Sequence, residues 1–319
     1  MWFWRMPKRP GSAPEAPVAR ADAAVDRGIM RQDTRLSPVI SPILLHRCWG
    51  TIDRDVRCAA MKLSIQTRLD YQFDHPTDIL LQLEAAAIPE QRIEHAHIDI
   101  SPSEHFARVA AHDTVGERIW LRAQGRFTVD YQATIEITRL LTDCLDLPKV
   151  PPHQLPGETV QYLMPSRYCP SDQFQTFVDA DFGDLEGGAR VIAMRDWVER
   201  HFSYVPGAST SDTTAMETFV KRQGVCRDYA HVMITLVRAS GIPARIASVY
   251  ALGVEPQDFH AVAEVFIGGE WHLVDATGMA KEGAMAKIGI GRDAADVAFL
   301  TAYGQAVMNS QTVLVEEAR

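Results

Sequence analysis

Cysteine is scarce and scattered in this chain: five thiols in 319 residues, Cys48, Cys58, Cys144, Cys169 and Cys226. No two have the CxxC spacing of a metal or redox site, and their spread makes no disulfide framework. A reducing cytoplasm is therefore the expected setting. Positive charge is short as well, with 32 Lys and Arg against 41 Asp and Glu and a formal charge of −9. No basic stripe is visible, so no nucleic-acid partner is expected. Residues 1–60 hold no apolar run long enough for a signal peptide or a membrane helix, since Arg5 breaks the opening aromatics, and no membrane association is expected. P-loop, GxSxG and HExxH motifs are missing, which removes the chemistries they serve. No group of closely spaced carboxylates looks like a calcium loop. Neither a cofactor nor a metal is expected.

What is present is an ordinary globular composition, 46% apolar and 23% charged, in a chain long enough for about two domains. Residues 1–60 stand apart, rich in Pro, Ala and Arg, with ten basic side chains against six acidic. They read as a disordered extension, and a strand pattern starts at once after Met61. From Leu63 apolar residues alternate, and further strands are expected at 79–83, 93–100 and 118–121. The clearest follows Gly125, with Phe127, Val129, Tyr131, Ile135 and Ile137 on one side. Such short strands between turn residues predict an antiparallel β-sandwich domain over 61–146. His95 and His97 share a strand face there, read as solvated. A proline-rich linker at 147–152 leads to a second domain, 155–319. In it a helix is expected from Glu186 to His201, burying Val191, Met194, Val198 and Phe202. Thr214 and Glu217 form a capping box for a short helix. A final strand is expected at 312–315.

The stretch Gln223-Gly224-Val225-Cys226-Arg227-Asp228 carries the chemistry. Cys226 stands where a helical pattern begins, backed by Ala230, Met233, Ile234 and Val237 and stopped by Gly241 and Pro243. Unpaired backbone N–H groups and the positive dipole end at a helix start stabilise a thiolate. Taken alone, the stretch reads equally well as a buried structural cysteine. A hairpin further on shifts the balance. Two strands, 259–267 and 270–275, flank Gly268-Gly269, a two-residue turn signal. That register sets Val262 opposite Asp275, so Asp275 is the diagonal neighbour of His260 on one face, roughly 7–8 Å away at the backbone. Their side chains close such a gap. His272 falls on the other face. Tyr204 and Gln223 are the two choices for a second oxyanion donor beside the Cys226 amide. The loop 253–258, with Glu255 and Asp258, leads into His260 and reads as a groove border or an exposed turn. Cys169 lacks an activating context and reads as structural.

Cys, His and Asp in this order, on a helix start and two adjacent strands, have the layout of a nucleophile–base–orienter triad. Together with Gly241-Ile242-Pro243-Ala244-Arg245, Glu264-Val265, Trp271 and Asp275-Ala276-Thr277, the sequence resembles the transglutaminase-like superfamily. The match runs over roughly residues 160–280. Val262 and Ala276 depart from it, where the family often has an aromatic residue and a proline. The resemblance implies an α+β protein, with the antiparallel β-sandwich followed by a papain-like, transglutaminase-like catalytic core. It implies catalytic roles for Cys226, His260 and Asp275 and a peptide or protein substrate. The activity implied is cysteine-dependent acyl transfer on peptide or amide substrates, with hydrolysis of the protease or amidase kind favoured. Protein crosslinking, or a peptide-binding scaffold with an idle triad, are the alternatives.

Overall fold

Alternating apolar residues make two very long strands in the first half of the protein. A computed structural model describes residues 3–5, 57–58 and 61–318. Strand β1 (Met61–Leu81) pairs antiparallel with β4 (Glu117–Ile137), and β2 (Gln91–Ile100) and β3 (His105–Ala110) add to the far side of β4. Residues 118–121 and 127–137, separate strands on sequence, are one continuous β4. Gly125 does not interrupt it and lies opposite Phe73. Strand β3 shows no alternation to read, being exposed at nearly every position. Of residues 1–60, Phe3–Arg5 pairs with Leu300–Ala302 and Arg57–Cys58 with Leu140–Leu141. The expected disordered extension otherwise lies outside the described residues.

The second half is helical before it is sheet. Helices α1 (Gln175–Phe182) and α2 (Gly187–His201) precede a two-residue strand β5 (Ser203–Tyr204), and α3 (Ala215–Lys221) follows. Thr214 caps α3 in the expected box, its hydroxyl accepting from Glu217 N–H while Glu217 accepts from Thr214 N–H. The short strand β6 (Gln223–Gly224) pairs parallel with β5 and hands the chain to α4 (Cys226–Ala239). Four antiparallel strands follow: β7 (Ala244–Ala251), β8 (His260–Ile267), β9 (Glu270–Val274) and β10 (Met285–Gly291), in the order β9-β8-β7-β10. Helix α4 lays Val232, Met233, Leu236 and Val237 on one face, against Ile246, Ala261, Ala263 and Val265. Each Val, Leu, Ile or Met side chain among them contributes about 1.5–3 kcal/mol by leaving water. The architecture is α+β, with the β-rich part ahead of a papain-like core. No described helix is long and apolar enough to cross a membrane.

The chain then returns to where it started. Strands β11 (Leu300–Ala302) and β12 (Val307–Glu317) both pair antiparallel with β1. The strand expected at 312–315 thus belongs to the first sheet, although its sequence position groups it with the second domain. Buried side chains of the first sheet, Leu69, Tyr71, Phe73 and Phe127 among them, pack with Tyr250, Phe259, Ala286, Ile288 and Phe299 of the second half. The Tyr250 hydroxyl ties the halves by donating to the Leu83 carbonyl at 2.7 Å.

A charged cluster is buried in the second sheet. Glu264 on β8 is fully enclosed and accepts from Arg245 Nε at 2.6 Å, with Lys287 of β10 in contact on its other side. Lys287 also pairs with Glu90 at 2.8 Å, and the Arg245 guanidinium lies 3.8 Å above the Trp271 ring. Burial opposes the Glu264 charge, but Lys287 and Arg245 outweigh it and hold the carboxyl down at about 2. Removing one member of a buried charge set costs far more than its net contribution, because the others lose their partner. Glu264→Gln should therefore lower unfolding free energy by about 3 kcal/mol, read from the urea midpoint. The folded pKa lies below the ordinary 4.5, so this stabilisation is complete above that pH and drains away as pH falls toward 2. The gap between wild type and variant should narrow across the same window. An unchanged midpoint at pH 7 would show that the cluster contributes nothing to stability.

Candidate active site

Helix α4 starts where it does because a carboxylate three residues in satisfies its first amide. Asp228 Oδ2 accepts from Val225 N–H at 2.8 Å, and Asp228 is fully buried. Gly224 makes room for it, since a Cβ there would lie 2.6 Å from the Asp228 Cβ. Arg227 neutralises the same carboxylate through Nη2 to Oδ1 at 2.8 Å, and Nη2 also donates to the Thr210 carbonyl at 2.7 Å. This turn is rigid. It presents Cys226 as the first residue of the helix, 3% exposed, with the positive end of the dipole beneath the sulfur.

The hairpin turns at Gly268 and Gly269, both with positive φ (63° and 92°), as a tight two-residue turn requires. Ala263 pairs with Val274 and Glu264 with Leu273, the expected register. His260 therefore reaches Asp275: Nε2 and Oδ2 are 3.0 Å apart. The carboxylate is held on every side. Its Oδ1 accepts from Thr277 N–H at 2.8 Å and from the Thr277 hydroxyl at 2.7 Å, and Oδ2 accepts from Ala280 N–H at 2.9 Å. Burial opposes the Asp275 charge, but His260 and Thr277 outweigh it and the carboxyl pKa is lowered.

The ring nitrogen left over is His260 Nδ1, buried and without a hydrogen bond of ordinary geometry. The Cys226 sulfur faces that ring and interacts with it, and its thiol points toward the Phe259 carbonyl at 4.0 Å. Burial works against the His260 cation, yet Asp275 and Cys226 outweigh it and push the pKa up to about 10. The Tyr204 hydroxyl lies against both the amide and the sulfur of Cys226, and burial together with the sulfur raises its pKa. The other choice for an oxyanion donor, Gln223, is exposed.

Cys226, His260 and Asp275 come together; His272 does not join them. Its Nδ1 lies 4.0 Å from Glu282 Oε1, and burial lowers its pKa. Cys169 is fully buried, and its thiol donates to the His231 carbonyl at 3.6 Å. His95 and His97 are exposed on β2, and among the described residues no group of three or more His, Cys, Asp or Glu is arranged to hold a metal.

Comparison with known proteins identifies the family. Residues 178–276 match the model of the transglutaminase-like superfamily. A solved structure from Cytophaga hutchinsonii, described as a candidate cysteine protease, is 33% identical, covers 82% of this chain and 91% of its own, and superposes with a TM-score of 0.77. The chain belongs to the transglutaminase-like superfamily. An uncharacterized Mycobacterium leprae protein is 27% identical over 148 residues, 43% of this transglutaminase-like chain, which spans about half (53%) of that protein's length.

Several residues of this transglutaminase-like site carry no role that spacing alone assigns. Asp228 is the cap of α4, and its carboxylate three residues past Val225 is half of a capping box without the usual Ser or Thr. Thr277, two residues past Asp275, completes an Asp-x-Thr turn, a signal that was readable. Glu264 shows nothing on sequence that marks it as an ion-pair centre. Selective alkylation should reveal the difference between the thiols. Burial pushes Cys144 and Cys169 up to about 12, so both stay protonated at neutral pH, whereas Cys226 faces a protonated imidazole. At pH 6.5 iodoacetamide should modify Cys226 at least tenfold faster than either, by peptide mass spectrometry. Equal rates at Cys169 would remove Cys226 from the centre of the chemistry.

Proposed function

We propose that this protein is a cysteine hydrolase acting on peptide or amide substrates, with Cys226 as nucleophile, His260 as base and acid, and Asp275 as orienter. The observation that carries the reading is the His260–Asp275 hydrogen bond at 3.0 Å, with the opposite ring nitrogen unbonded and the ring in interaction with Cys226. Kinship with a candidate cysteine protease over most of both chains supports cysteine chemistry, and hydrolysis in particular.

In this mechanism the imidazolium stabilises the Cys226 thiolate, which attacks the substrate carbonyl carbon. The carbonyl π electrons move to oxygen and give a tetrahedral oxyanion. The Cys226 N–H at the helix start and the Tyr204 hydroxyl donate to it. Collapse breaks the C–N bond, His260 gives its proton to the leaving amine, and a thioester remains. Neutral His260 then takes a proton from water as the hydroxyl attacks the thioester. Collapse of the second tetrahedral species expels the thiolate and releases the carboxylic acid. Asp275 keeps Nε2 protonated throughout, so Nδ1 is the nitrogen that exchanges protons. If a primary amine replaced water, the same thioester would give a crosslink. A cytoplasmic location and a peptide or protein partner go with this reading.

The test is an assay of peptide amides with the products identified. Acid and free amine are expected, with little incorporation of a fluorescent primary amine; dominant incorporation would replace hydrolysis by crosslinking. His260→Ala should abolish turnover and His272→Ala should keep most of it. Tyr204→Phe should lower kcat by roughly a hundredfold with KM nearly unchanged, the loss typical of one oxyanion donor. An active His260→Ala variant would leave the triad without its base and favour the scaffold alternative.

A further inference from the structure

The loop that leads into His260 is fastened to the first sheet at two points. Gln257 accepts from Val315 N–H at 3.0 Å and donates to the Val315 carbonyl at 3.3 Å, both on β12. Asp258 Oδ1 accepts from Gln311 Nε2, also on β12, at 2.6 Å and from Phe259 N–H at 2.8 Å. Both bonds fall on one oxygen. Among the described residues the other, Oδ2, has no hydrogen-bond or ion-pair partner, and the residue is only half-buried.

This carboxylate is linked to the neighbourhood of Cys226 through Phe259. The Phe259 carbonyl is 4.0 Å from the Cys226 sulfur, and the Phe259 amide, no more than about 4 Å from that carbonyl, is bonded to Asp258. Chained together, these contacts keep Oδ1 within about 11 Å of the sulfur. A lysine side chain extends about 6 Å from its Cα, so a residue flanking the scissile carbonyl brings its ammonium to this neighbourhood. Asp258 also acts on two phenols, Tyr71 in the core of the first sheet and Tyr204 beside Cys226. Burial is the main reason that Tyr71 is pushed up to about 12 and Tyr204 is raised, and the Asp258 charge adds to both. Its field therefore covers the space next to Cys226, and the chain as a whole, at −9, favours the approach of cations.

We infer that Asp258 is a specificity residue that selects substrates with an ammonium or guanidinium group beside the scissile carbonyl, through Oδ2. This rests on the cysteine-nucleophile reading of the site. Recognition of this kind adds little to rate by itself but separates cationic from neutral substrates. A half-exposed ion pair distinguishes them by roughly fivefold. The cation is either a lysine or arginine side chain or the free N-terminus of a short peptide.

The test compares chloroacetyl peptides that differ only in lysine or norleucine next to the electrophile, each with a free and an acetylated N-terminus. Alkylation of Cys226 in the full chain is followed by mass spectrometry. Wild type should react roughly fivefold faster with a cationic probe than with the neutral acetyl-norleucine probe, and 0.5 M salt should reduce that ratio. Which cationic probe gains shows whether the side chain or the N-terminus is recognised. In Asp258→Asn, which keeps an oxygen for Phe259 and Gln311, the ratio should fall to about one. Equal ratios in the two proteins would overturn the proposal, as would a wild-type ratio of one. Failure of iodoacetamide to label Cys226 would instead sink the nucleophile reading. In that event the binding of fluorescent lysine and norleucine peptides to Cys226→Ala decides for Asp258, with equal affinity counting against it.

Discussion

The geometry of the site hangs on the hydrogen bond between His260 and Asp275, and that bond hangs on the length of one turn. Side chains alternate faces along a strand, so a single extra residue between β8 and β9 would move Asp275 to the far face. Gly268 and Gly269, both at positive φ, hold the turn to two residues. Everything downstream follows from the pairing it sets. Asp275 holds His260 through Nε2, Nδ1 is left without a hydrogen bond, and the ring interacts with Cys226 at the start of α4.

Around this bond several charged groups are buried, and each has a partner. Asp228 caps α4 and is neutralised by Arg227; Asp275 accepts four hydrogen bonds; Glu264 sits between Arg245 and Lys287. Buried pairs of this kind add little net stability compared with apolar side chains, but any one of them left alone is severely destabilising. They act as position locks. Arg227 ties α4 to the 209–210 loop, and Lys287 ties β10 of the second sheet to Glu90 just ahead of β2.

The first sheet is part of the same arrangement. Strand β12 comes back from the end of the chain to pair with β1, and on the way holds Gln257 and Asp258. The loop before the histidine is therefore set by a strand from the other sheet. The β-rich region and the papain-like core are thus joined by hydrogen bonds at this loop as well as by packing.

Local signals in the sequence determined a good deal. Helical spacing behind Cys226, the Thr214–Glu217 box, the glycine pair of the hairpin and the strand alternation from Leu63 are short-range patterns, and the register they imply is the one observed. Parity alone separated Asp275 from His272. Short-range patterns say nothing about partners far along the chain. That Phe299 stacks on Phe259 at 3.7 Å, that β12 joins β1, and that Lys287 meets Glu264 were decided by packing between halves. The same holds for the burial of Tyr204 against Cys226 and the exposure of Gln223, because exposure depends on what covers a residue. Periodicity records which face of an element is buried; only the assembled fold determines what that face is buried against.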